Sequence, residues 1–135
     1  MERIEHIGLA VRDLEASEKI FQKLLGRPAY KKEYVASEQV TTIFFKVGEV
    51  KIELLGTESK DSALGKFLDK SGEGIHHIAF HSKDLQADTA RLTEDGFTFT
   101  GSPRLGAENK LVNFIHPASA SGALVELCMD NLDKK

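Results

Sequence analysis

The chain is poor in what several protein classes need. Its 135 residues include one cysteine, Cys128, so no intramolecular disulfide framework is possible. That fits a reducing compartment. No apolar run approaches the roughly 20 residues of a spanning helix. Cationic excess is missing too: 18 Lys and Arg face 21 Asp and Glu, for a net charge of −3 and a pI near 6.0. Nucleic-acid binding usually leaves a basic patch, and none is evident. The opening MERIEHIGLAV carries Glu2 and Glu5 where an export signal needs basic and then apolar residues. A cytoplasmic protein is expected, with no nucleic-acid or membrane partner. GxSxG, GxxxxGK[ST] and CxxC motifs are all missing.

What the chain does contain is a repeat. Apolar residues make up 41% and charged residues 29%, the balance of one globular domain or of two small halves sharing a core. IEHIGLAVRDLEA from Ile4 aligns without gaps on IHHIAFHSKDLQA from Ile75, a shift of 71 positions. His6 meets His77, Asp13 meets Asp84 and Leu14 meets Leu85. Further on, KIEL from Lys51 matches LVEL from Leu124, so Glu53 meets Glu126. Each half thus carries one early His and one late Glu in the same order, the mark of an internal duplication.

The periodicities predict βαβββ in each half. Residues 4–11 alternate as a strand, with Ile7, Leu9 and Val11 on the core face and His6, Gly8 and Ala10 on the other. Asp13 is placed to cap a helix ending near Leu25, with Leu14, Ile20, Phe21, Leu24 and Leu25 as its stripe and Gly26 as its stop. Strands are expected near 29–35, 40–48 and 49–56, then a connecting helix over 59–71. The second half repeats the order: strand 75–82, helix 84–95, and strands near 97–100, 111–116 and 122–129. The expected fold is α+β: one domain over 1–135, built from module 1 (about 1–58), the connecting helix and module 2 (about 72–135). Helices cover the outer face of a curved sheet whose other face forms a metal cleft.

His6, Glu53, His77 and Glu126 are the candidate ligands of that cleft. Taken singly, a His in an apolar strand is usually structural, and a Glu within IEL can face water. A buried, unpaired carboxylate costs several kcal/mol, so such a group is paired, metal-bound or exposed. The symmetric set favours an N₂O₂ site for a divalent first-row metal: Co, Ni, Mn, Zn or Fe. His76 follows the opposite face, toward solvent or a helix. His81 shares the face of His77, and lining the cleft and exposure near the strand end are both open to it. His116, before Pro117, reads as structural. Cys128 reads as a packed, inert thiol.

With these residues in hand, the chain resembles the vicinal oxygen chelate superfamily over nearly its whole length. Within it, the chain is similar to the methylmalonyl-CoA epimerase family. The matching blocks are HIGLAVRDLEAS, KIELL, DSALGKFLDKSGEGIHHIAF and PRLGAENKLVNFIHPASASGALVELC. The resemblance implies interconversion of (2R)- and (2S)-methylmalonyl-CoA through a metal-stabilised enolate. It implies His6, Glu53, His77 and Glu126 as metal ligands, with Glu53 and Glu126 also candidates for proton transfer. An acyl-CoA substrate and a homodimer follow by the same analogy. The chain departs from the pattern twice: Thr42 stands near a position where some relatives carry Glu, and Ala118 follows His116–Pro117 where Lys is frequent. The rival readings are a glyoxalase I-type isomerase and a metal-free binding module of the same fold.

Overall fold

The computed structural model describes residues 1–132. Two compact units are present: His6–His76, and Met1–Glu5 together with the chain from His77 onward. The first five residues therefore pack with the second half of the chain.

In the first unit, β1 (Arg3–Ala10) leads to α1 (Leu14–Leu25), then β2 (Lys31–Val35), β3 (Val40–Val47) and β4 (Val50–Gly56), and α2 (Ala63–Ser71) follows. The strand order is β2-β3-β4-β1. β3 and β4 form a hairpin through Gly48, whose φ of 62° suits glycine. β1 runs parallel to β4, with α1 as the crossover. The second unit repeats this with β5 (Gly74–His81), α3 (Leu85–Glu94), the two-residue β6 (Arg104–Leu105), β7 (Lys110–Ile115) and β8 (Val125–Asp130), in the order β5-β8-β7-β6. The α+β class and the duplicated βαβββ plan are as the sequence predicts. No described helix is long and apolar enough to cross a membrane.

The repeat extends to polar detail. Asp13 caps α1 by accepting from the Ala16 N–H at 3.0 Å, and Asp84 caps α3 by accepting from the Ala87 N–H at 3.0 Å. Glu73 Oε2 accepts from the Arg12 N–H at 2.7 Å, while its repeat partner Glu2 holds Lys83, the partner of Arg12, at 3.4 Å.

Several expectations need correction. Ile20 and Leu24 are 60% and 70% exposed, so they do not belong to the inner stripe of α1. That stripe is Leu14, Phe21 and Leu25, packed on Val11, Ile43, Phe45 and Leu54. Ile20 and Leu24 sit roughly 80–120° round the helix from it, at 3.6 residues per turn. The connecting helix starts at Ala63 and not at residue 59, because Ser62 caps it through the Gly65 N–H at 3.0 Å. The strand near 97–100 is only a bridge between Phe99 and Ile115; the paired strand is β6, which lies between the strands expected near 97–100 and 111–116. Gly101, Ser102 and Pro103 separate the two, and Pro103 has no N–H to continue a ladder.

α2 lays Leu64 and Leu68, with Phe67, on Ala10, Val40 and Leu55, at one end of the sheet face opposite to α1. A Cβ added at Gly65 would lie 2.2 Å from the Ser59 carbonyl oxygen and 2.9 Å from Lys60 Cα. Alanine in place of glycine normally gains about 1 kcal/mol in a helix. Here the clash with main chain outweighs that gain, and Gly65→Ala is expected to destabilise by roughly 1–3 kcal/mol. Urea midpoints measure this; an unchanged or higher midpoint would contradict the close approach.

Candidate active site

In the first unit, the register of β1 on β4 puts Gly8 beside Glu53. His6, two residues before Gly8, shares its face because strand side chains alternate. Glycine leaves room, and His6 Nε2 lies 3.2 Å from Glu53 Oε1, with side chains 9% and 6% exposed. On the other side of β4, Phe44 stands opposite Glu53 and is buried.

The second unit builds the same pair. Ala79 lies beside Glu126 in the parallel register of β5 on β8. His77, two residues earlier, brings Nε2 to 3.0 Å from Glu126 Oε1, with side chains 4% and 6% exposed. Phe114 stands opposite Glu126 and meets the His77 ring edge-on at 5.9 Å. The alternative in which Glu53 and Glu126 face water is excluded by their burial. Each carboxylate has an imidazole for company, as a buried carboxylate requires.

The remaining sequence candidates fall as follows. His76 turns its ring edge to Phe67 of α2 at 4.7 Å, on the helix side of the two options. His81 Nδ1 sits 2.8 Å from Glu2 Oε1 and is largely buried, so exposure at the strand end is excluded. His116 is structural: its Nδ1 accepts from the Ala118 N–H at 3.1 Å and caps the short 3-10 helix Pro117–Ala120. Cys128 is 1% exposed, packed with Ala79 and Val112. Thr42 is buried, and its hydroxyl donates to the Glu33 carbonyl at 3.4 Å.

Sequence reading missed the two phenylalanines and the buried Glu5, which is 2% exposed. It also missed a charged position one strand further out. Glu33 on β2 stands opposite Thr42, and Arg104 on β6 stands opposite Val112. Thr42 and Val112 occupy the same place in the two modules, each two residues before the phenylalanine that faces the glutamate. The modules therefore carry opposite charges at one equivalent position. Arg104 holds its guanidinium over the Phe114 ring, 5.3 Å from the centroid. The signal was available in the spacing to Phe44 and Phe114, but only after the strand pairing was known.

The donor set suits a metal. Within each pair one imidazole nitrogen and one carboxylate oxygen come together from paired strands, sheltered from water. Nitrogen and oxygen donors of this kind favour borderline first-row divalent ions. Each buried carboxylate would also offset part of the ion's charge.

The chain belongs to the Glyoxalase/Bleomycin resistance protein/Dioxygenase superfamily, whose profile matches residues 5–114. Among proteins of known sequence it is 38% identical to the ethylmalonyl-CoA/methylmalonyl-CoA epimerase of Cereibacter sphaeroides, across 93% of this chain and 96% of that protein. Among solved structures it matches a Streptomyces coelicolor methylmalonyl-CoA epimerase variant in complex with 2-nitronate-propionyl-CoA. That match has a TM-score of 0.93 and 32% identity, and covers 100% of this chain and 99% of the other. The methylmalonyl-CoA epimerase from Mycobacterium tuberculosis matches with a TM-score of 0.90 and 31% identity, over 96% and 88% of the two chains.

The Glu2 cluster gives a pH prediction. Partial desolvation pushes the Glu2 carboxyl upward, but hydrogen bonds and charge from Lys83 and His81 outweigh it and hold the group below its ordinary value of 4.5. A depressed folded-state pKa stabilises above the unfolded value, and that stability is lost as pH falls through the folded one. The stability difference between the native chain and Glu2→Gln is therefore expected in full above pH 4.5, shrinking as pH drops further. Because Glu2 is solvent-accessible, the difference is small. Urea midpoints of both chains across the acid range check it; a difference that grows on acidification would contradict the assignment.

Proposed function

We propose that this chain is an isomerase that epimerises methylmalonyl-CoA at C2. The observation that carries the reading is a buried His–Glu pair repeated at the same register in both modules, in a chain similar over nearly its whole length to proteins named as epimerases of this substrate. His6, Glu53, His77 and Glu126 are proposed as ligands of one divalent metal: Co, Mn, Ni or Zn.

The chemistry of the substrate suits these groups. The C2 proton lies between a thioester carbonyl and a carboxylate, and its removal leaves an enolate. A bound divalent cation would supply Lewis-acid stabilisation of the charge that develops on the substrate oxygens. The protein's own residues must take the proton from one side and return one on the other. Glu53 and Glu126 are carboxylates of the proposed site, and either can act as a proton carrier there. The apolar surroundings of Phe44 and Phe114 keep competing water away from a reactive carbanion.

The setting follows from smaller observations. A single, buried Cys128 suits a reducing cytoplasm. A homodimer is carried over from the family resemblance, and light scattering on the purified protein tests it.

The deciding experiment is C2 proton exchange of methylmalonyl-CoA in D₂O, followed by NMR, with and without EDTA and added Co²⁺. Fast exchange with racemisation, lost in EDTA and restored by metal, is expected. Glu126→Gln should lower exchange by about 100-fold or more, the range of general acid–base contributions. No exchange with any divalent ion would overturn the epimerase reading. Turnover of a glutathione hemithioacetal instead would mark a glyoxalase I-type isomerase, and neither activity would leave the metal-free binding module.

A further inference from the structure

Inversion at a carbon needs proton carriers on both sides of it. The site glutamates are each held by an imidazole, at 3.2 Å for Glu53 and 3.0 Å for Glu126. In β2, β3 and β4 there are two acidic residues, Glu53 and Glu33. The ladder puts both on one face: Glu53 stands opposite Phe44, Thr42 lies two residues along on the same side, and Glu33 stands opposite Thr42. Glu33 is thus two strands from Glu53 on the face that carries His6. The side chain between them is small, and its hydroxyl turns back to the main chain at Glu33.

We propose that Glu33 is a second catalytic proton carrier of the epimerisation; this rests on the epimerase reading above. Glu33 is 31% exposed, beside Lys31 at 3.5 Å. Partial exposure lets the group trade its proton with water between turnovers. In the forward step the C2–H bond of one stereoisomer breaks, the proton bonds to a Glu33 carboxylate oxygen, and the bonding pair passes into the enolate. On the opposite side of the carbon a second carrier, resupplied from water, delivers a proton to C2. Glu33 then loses a proton to water and the other carrier regains one, so no net proton is consumed.

The test reads each stereoisomer separately. The native chain, Glu33→Gln, Glu33→Asp and Lys31→Ala are incubated in D₂O with (2R)- or (2S)-methylmalonyl-CoA, and deuterium at C2 and configuration are followed by NMR and chiral analysis. In Glu33→Gln, epimerisation is expected to fall by about 100-fold or more, while one stereoisomer still exchanges its C2 proton with retention and the other does not. Glu33→Asp is expected to show the same asymmetry at an intermediate rate. Lys31→Ala should keep exchange of both stereoisomers, which separates proton transfer from loss of a surface ion pair. Epimerisation by Glu33→Gln within about twofold of the native rate would overturn the role of Glu33 and leave the epimerase reading standing. Equal loss for both stereoisomers in a variant with native circular dichroism and melting would also overturn it. A native chain that exchanges neither stereoisomer would overturn both.

Discussion

A carboxylate buried beside an imidazole is the constraint on which each half of this molecule turns. Glu53 and Glu126 are each 5% exposed, far from the water that an ionised carboxylate prefers. Such a group survives only with a partner held firmly in place. The partner comes from the neighbouring parallel strand, and a small residue, Gly8 or Ala79, makes the space for it. Parallel pairing of those strands needs a crossover helix, and α1 and α3 provide it. The need to place one histidine beside one glutamate thus ties together strand order, register, helix and the choice of small residue.

The duplication explains why the arrangement is so regular, and its departures are informative. The helix caps Asp13 and Asp84, the glutamates Glu73 and Glu2, and the phenylalanines beside the site glutamates are copied between modules. The outer strands are not: β2 places Glu33 where β6 places Arg104. The buried His–Glu pair is the feature that both modules keep. A substrate with an acidic head, a reacting carbon and a long nucleotide tail is not symmetric, and its recognition requires the modules to differ. The charge reversal at this position is one place where they differ.

Much of the fold was legible because its signals are local. Asp13 before an apolar helical pattern, Gly26 after it and Gly48 between two alternating runs each act within a few residues. Misreadings arose where a signal depended on distant partners. Ile20 and Leu24 are apolar yet exposed, since composition marks a stripe without saying which flank meets the sheet. β6 is two residues long and exists through its pairing with β7, so no periodicity could reveal it.

For the candidate site, the sequence by itself determined which His and Glu side chains recur in both modules. The repeat singled out His6, His77, Glu53 and Glu126, because duplicated polar residues inside apolar strands stand out against their surroundings. It also separated His77 from His76, since neighbouring strand residues face opposite ways. Tertiary structure alone decided which histidine meets which glutamate, how deeply the carboxylates are buried, and that Phe44, Phe114, Glu33 and Arg104 share their faces. Those facts depend on register between strands far apart in the chain. Register is set by the packing of whole sheet faces, a property of the assembled ladder that no single stretch of sequence contains.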